Sequence, residues 1–208
     1  SVCGGNTANS EFEFLTGDTM AFLPSGSIAY QQYVKQDTSS LASYLKGLGY
    51  ATYAQHPYYA SGWDRERVYP LLGFEHMDFI DDYTNVSYVR KYISDASDMQ
   101  HIIETYEKKE AGKPAFIFNV TMQNHGGYTD VYPNFENDIQ AQYNSDALNQ
   151  YLSLIRKTDA ALEDLVSYFS KADEKTVIVF FGDHQPSDAV ANQIEMASGV
   201  DPSDMNSE

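Results

Sequence analysis

Two nearly continuous apolar runs, AFIFNVT at 115–121 and TVIVFF at 176–181, constrain this chain more than any other feature. Runs without polar alternation suit strands covered on both faces, the condition of central strands in a parallel sheet. Each follows a segment with helical periodicity. Ile102, Ile103 and Tyr106 mark the inward face of a helix over about 97–109, stopped by Gly112 and Pro114. Leu148, Leu152, Ile155, Leu162, Leu165, Val166 and Phe169 form the stripe of a longer helix over about 146–170. Ser145 is its expected N-cap. Asp159 falls on the stripe, where it would bond a neighbouring loop. A third pair is a helix over about 39–48, with Leu41, Tyr44, Leu45 and Leu48 inward and Gly49 closing it, then a strand at 50–54. Helix followed by strand, three times over, predicts an α/β fold: a mostly parallel central sheet flanked by helices on both faces.

The 208 residues suit one domain or a large part of one, and 42% apolar content supplies a core. The chain carries 30 acidic against 13 basic residues, a net charge of -17. That balance excludes nucleic acid as a partner, because no basic stripe is present to neutralise phosphates. A small anionic substrate is compatible with it if a metal and one or two bases reverse the field locally. Cys3 is the single cysteine, so no internal disulfide forms. No run of 18 apolar residues and no signal-peptide pattern is present. The glycine-rich start and the polar end at 201–208 read as cuts, so the fold is expected to be incomplete at both ends.

In parallel sheets ligands bind beyond the carboxyl ends of the strands. His56 follows the first expected strand, His125 the second and His184 the third. If the strands are adjacent, the three histidines converge. In Gly182-Asp183-His184 a carboxylate stands beside an imidazole, a pairing that suits a divalent ion such as manganese, zinc or magnesium. Gly182 permits a tight turn that aims both side chains at one point. In the opening GGNTANS, glycines permit close approach of a phosphoryl group, and Thr7, Ser10 or Ser1 could act as nucleophile. An ordinary helix cap by Thr7 or Asn9 is the alternative. In GWDR (62–65), Arg65 can grip a phosphate and Trp63 can cover glycerol carbons. The alternative is a helix start in which Asp64 caps and Trp63 packs.

Taken in order, GGNTANSEF (4–12), His56 with Trp63 and Arg65, QNHG (123–126) and FGDH (181–184) resemble the catalytic domain of lipoteichoic acid synthases and related phosphoglycerol transferases. These form part of the sulfatase-like branch of the alkaline phosphatase superfamily. The resemblance implies that 1–208 is the central part of a single sulfatase-like catalytic domain. It implies Thr7 as a nucleophile that forms a phospho-threonine intermediate and touches the metal. Asp183 and His184 fall at metal ligands, and His56, Trp63, Arg65 and His125 at substrate-binding positions. One divalent ion, Mn2+ before Mg2+ or Zn2+, is the implied cofactor. A phosphatidylglycerol-like lipid or a glycerol-phosphate polymer is the implied partner, and the outer face of a bacterial membrane the implied location. Tyr58 stands where the lipoteichoic acid enzymes carry an acid, which changes one pocket hydrogen bond. A further acidic metal ligand is implied upstream of residue 1, so 1–208 alone is expected to bind metal weakly and to be inactive.

Overall fold

A computed structural model describes residues 6–142 and 145–201. Ser1, Cys3 and the Gly4-Gly5 pair lie outside the described residues. In chain order the main elements are α1 (Thr7–Thr16), α2 (Ala29–Gln32), α3 (Leu41–Gly47), β1 (Ala51–Gln55), α4 (Arg65–Leu71), β2 (His76–Asp78), β3 (Tyr88–Val89), β4 (Tyr92–Ile93), α5 (Asp95–Lys108), β5 (Ala115–Asn119), α6 (Asp146–Phe169) and α7 (Asp188–Ala197).

β1 lies between β2 and β5, all three parallel, with Tyr53 opposite both His76 and Ile117. Side chains alternate across the sheet. Ala54, Phe116 and Phe118 pack against Ala8, Phe12 and Leu15 of α1 and Val68 and Tyr69 of α4. On the other face Gln55 bonds Thr105 and Asn119 bonds Asp98, both on α5. α6 covers α5 through Met99, Ile103, Ala161 and Leu165. Helices therefore flank a parallel sheet on both faces, as the apolar runs predict. Gly73, in the α4–β2 turn at φ +96°, is required there: a Cβ would lie 2.7 Å from Ser43 Cα of α3.

Three expectations need correction. Thr176–Phe181 joins no ladder, and Val177, Val179 and Phe180 are mostly exposed. β5 is an edge of the three-stranded sheet, and among the described residues nothing pairs beyond it. The run does reach α1, where Phe181 and Phe118 both lie against Phe14, at 4.8 and 5.8 Å between ring centres. In α3 the buried residue is Ala42, while Tyr44 and Leu48 face solvent. In α6 Ile155, Val166 and Asp159 are exposed, and Ser153, Leu154, Thr158 and Ala161 are buried in their place. The reason is a polar seam: Thr158 donates to Asp95 Oδ2 and Ser153 to the Asn149 carbonyl, so hydroxyls occupy the inward face.

Asp98 of α5 is fully buried on the side facing β5, accepting from Tyr83 Oη at 2.8 Å and from Asn119 Nδ2 at 2.8 Å. Burial pushes its carboxyl up to about 7, against the pull of those two donors and with help from Asp95. In the unfolded chain it releases its proton near pH 4. The folded state therefore binds the extra proton between those values. Stability falls as pH rises from about 4 to about 7, and the loss is complete above that. Asp98→Asn removes the ionisation. Asn119 Oδ1 has no partner and can turn to accept the new amide. The variant is expected to exceed the parent by roughly 2–4 kcal/mol at pH 8 and to match it near pH 4. Urea unfolding at both pH values measures this. A loss of stability at pH 8 would show that the carboxylate is held ionised.

Candidate functional site

α1 begins at Thr7 after Asn6, whose backbone stands at φ +68° and whose side chain makes no cap bond. Neither Thr7 nor Asn9 is a cap. Asn9 instead donates to the Ser27 carbonyl and accepts from the Ala29 amide, tying α1 to α2. The Thr7 hydroxyl is left free to donate to Asp183 Oδ2 at 2.7 Å, across 176 residues of chain. Ser10, one turn on, donates to the Asp183 carbonyl. His184 Nε2 lies 3.2 Å from the same Asp183 Oδ2. The opening hydroxyl and the acid–imidazole pair near the far end thus meet at one point.

The local chemistry suits that point to a cation. His184 Nδ1 lies 2.7 Å from the Gln185 carbonyl. If Nδ1 donates there, Nε2, on the side of the Asp183 carboxylate, would be the nitrogen available to a cation. The His184 amide donates to Asp183 Oδ1 at 2.9 Å, which fixes the carboxylate plane. Two oxygens and one imidazole nitrogen form a donor set that manganese, zinc or magnesium accepts. Among the described residues no group of three or more His, Cys, Asp or Glu is placed to hold a metal. Thr7, Asp183 and His184 would therefore be a partial ligand set.

His184 follows no strand, but His56 and His125, which come after β1 and β5, lie toward the same end. His56 is buried, with Nδ1 2.8 Å from the Val120 carbonyl just past β5. Burial, and then the Arg65 charge, pushes it down to about 3, so it is neutral at pH 7 with Nδ1 protonated. His125 is lowered by burial and then by the charges of Lys91, His184 and Arg90, with Asp183 opposing. A file of rings joins the two histidines: His56 to Tyr58 at 6.1 Å, Tyr58 to Tyr92 at 6.0 Å, and Tyr92 to His125 at 5.7 Å. Tyr92 Oη lies 3.3 Å from His125 Nδ1.

Trp63 and Asp64 occupy consecutive left-handed conformations, at φ +57° and +60°. Two such non-glycine residues in a row store strain of about 1–3 kcal/mol each. Trp63 packs at the edge of the core, and Asp64 makes no cap bond, so the helix-start alternative holds for Trp63 alone. Arg65 is buried against Glu11 of α1: Nε donates to both carboxylate oxygens at 3.2 and 3.3 Å, and Nη2 donates to Oε1. Nη1 donates to the Gly62 carbonyl at 3.2 Å. Any grip of Arg65 on a phosphate has to use the remaining Nη hydrogens.

Sequence reasoning missed Glu11, Tyr92 and Arg90. Glu11 had a usable signal in its position, one helical turn past Thr7 on the inward face. Arg90 and Tyr92 had none, because a hairpin of two-residue strands is too short to carry a pattern.

The pattern of the family described as Sulfatase matches residues 1–195. A Rhizobium meliloti (strain 1021) protein, provisionally named for cyclic beta-1,2-glucan modification, is 37% identical over 191 residues, covering 88% of this chain and 29% of that protein. The Streptococcus pyogenes phosphoglycerol transferase GacH, solved with sn-glycerol-1-phosphate, superposes with a TM-score of 0.70 at 26% identity, covering 92% of this chain and 53% of that one. The lipoteichoic acid synthase LtaP of Listeria monocytogenes superposes at 0.67 with 19% identity, covering 81% of this chain and 41% of that one, which speaks to fold alone. The chain spans about a third of the length of the curated relatives it matches. With the family pattern running through nearly all of it, the chain belongs to the sulfatase family.

Proposed function

We propose that this chain is the centre of the catalytic domain of a metal-dependent phosphoglycerol transferase working at the outer face of a bacterial membrane. The observation that carries the reading is the Thr7 hydroxyl 2.7 Å from the Asp183 carboxylate, with His184 Nε2 against the same oxygen. No helix of the described residues is long and apolar enough to cross a membrane.

The donor is a phosphatidylglycerol-like lipid. Thr7 Oγ1 attacks phosphorus, the Thr7 oxygen–phosphorus bond forms, and the bond to the diacylglycerol oxygen breaks. The hydroxyl proton starts on the hydrogen bond to Asp183 and ends on the departing diacylglycerol. An acceptor hydroxyl then attacks the same phosphorus, the acceptor oxygen–phosphorus bond forms as the Thr7 oxygen–phosphorus bond breaks, and the acceptor's proton returns to Thr7 Oγ1. The acceptor is a glycan or a glycerol-phosphate polymer; the 37% identical relative named for glucan modification supports the glycan. A bound divalent ion, Mn2+ by preference, would lower the Thr7 pKa and neutralise phosphoryl charge. Thr7, Asp183 and His184 are the residues to hold it. Neutral His56 and the half-buried Trp63 shape the glycerol pocket, His125 contacts the transferring phosphate, and Arg65 supplies fixed positive charge behind it.

A hydrolase of the same superfamily is the second reading. That hydrolase would be a phosphodiesterase or a sulfatase; sulfatases use a Cys or Ser converted to formylglycine, and Thr7 offers neither, which argues against the sulfatase and leaves the phosphodiesterase to the assay. The test is incubation of the intact enzyme, Mn2+ and a candidate glycan with phosphatidylglycerol labelled in its headgroup glycerol. Diacylglycerol release with label on the glycan or on a polymer, and a phosphoglycerol adduct on Thr7 by mass spectrometry, is the expected result. Label released only as free glycerol phosphate would establish the hydrolase. Absence of diacylglycerol release would reject both.

A further inference from the structure

Arg90 opens the two-residue turn between β3 and β4, at φ +56°, and its side chain is buried. Among the described residues no carboxylate forms an ion pair with it. It donates instead to backbone carbonyls of the loop after β5: Nη2 to Gln123 O and to His125 O, both at 2.8 Å, and Nη1 to Gly127 O at 3.0 Å. Nη1 also reaches Gln150 Oε1 at 3.3 Å. The rings of Tyr92, Tyr128 and Tyr132 surround the guanidinium at 5.7–5.9 Å. Among the described residues its Nε has no partner.

Two penalties fall on this one residue. A buried cation without a counter-ion is destabilising, and a left-handed non-glycine backbone is strained. An apolar side chain would close the same turn without the first, and a glycine without the second. What arginine alone supplies is a planar fork that can hold three carbonyls at once. Those carbonyls belong to alternate residues centred on His125, so the fork fixes the backbone on both sides of that histidine. Gln123 is pinned a second time through its side chain, which accepts from the Asp95 amide at 3.0 Å. Among the described residues the only hydrogen-bond partner within reach of the His125 ring is Tyr92 Oη at 3.3 Å.

We propose that Arg90 is a positioning residue: it locks the 123–127 loop so that the His125 imidazole is presented to the phosphoryl site. The proposal rests on the transferase reading for its kinetic arm and is independent of it for its spectroscopic arm. In the intact enzyme, Arg90→Lys keeps the charge and loses the fork. The expected result is a fall in kcat of about 10–100-fold with KM nearly unchanged, as for a misplaced group. In a His125→Ala background the same change should have no further effect on kcat, because the positioned group is gone. Equal falls in both backgrounds would overturn the proposal and leave Arg90 a general structural residue. Separately, NMR titration of the His125 ring in the parent and in Arg90→Gln needs no substrate. Loss of the neighbouring charge and of the clamp should raise the His125 pKa and broaden or shift its ring signals. Identical titrations and shifts would overturn the proposal whatever ester the enzyme uses. Should Arg90→Gln fail to fold, the same titration on Arg90→Lys decides by ring shifts alone, with unchanged shifts counting against it.

Discussion

Glu11→Ala is expected to destabilise the fold by about 3–5 kcal/mol, the range for leaving one partner of a buried ion pair alone. Glu11 and Arg65 are each almost fully buried, and the carboxylate takes three groups at once: Arg65 Nε, Arg65 Nη2 and Tyr69 Oη at 2.9 Å. Truncation strands a guanidinium and a phenol in the core between α1 and α4. The pair as a whole is a different quantity. Desolvating both ions offsets most of their attraction, so a double variant Glu11→Leu with Arg65→Met should recover much of the loss. Activity should not return with stability, because the pair ties the helix that begins at Thr7 to the strained Trp63 turn. Urea unfolding of the two variants, with circular dichroism, checks the first part. A loss below about 1 kcal/mol for Glu11→Ala would mean that the pair is screened like a surface bridge.

That ion pair spans 54 residues, and no local pattern announces it. What local pattern does announce is the scaffold. AFIFN at 115–119 and ATYAQ at 51–55 became parallel neighbours because apolar and small side chains on both faces demand two covering layers. TVIVFF carries an even stronger apolar pattern and still lies outside any ladder, since pairing depends on a neighbour and apolarity only on the run itself. In α6 the hydrophobic stripe misplaces the inward face. Thr158 and Ser153 are buried because Asp95 and Asn149 satisfy their hydroxyls, which a hydrophobicity pattern cannot register. The site was legible as motifs, and Thr7, Asp183 and His184 do come together. Glu11 and Arg90, which bond a partner 54 residues away and the carbonyls of the 123–127 loop, could not be read from the sequence because those partners are set by folded geometry.

Thr7→Ala should lower phosphoglycerol transfer by on the order of 10⁴-fold or more, the effect expected when a covalent nucleophile is removed. Ser10 is the informative control. It sits one turn along α1, its hydroxyl also reaches Asp183, and the residue chemistry of the opening segment offers it beside Thr7 as a candidate for the attacking group. Its partner is the Asp183 backbone carbonyl, however, while Thr7 faces the carboxylate and, through it, His184. Ser10→Ala therefore loosens the attachment of residue 183 to α1 and should reduce kcat by only about 10-fold, with the threonine adduct still forming. Thr7→Ser keeps a hydroxyl at the same place and should fall between the two, with the adduct moved to the serine. Asp183→Asn retains an oxygen to accept from Thr7 but removes the charge that favours a cation, so its loss should approach that of Thr7→Ala and shrink little with added Mn2+. Steady-state transfer assays on the four variants, with mass spectrometry of the trapped enzyme, order these effects. If the order is inverted, so that Ser10→Ala abolishes transfer and Thr7→Ala leaves it, the nucleophile is Ser10. The 2.7 Å contact between Thr7 and Asp183 would then be a helix-anchoring bond alone.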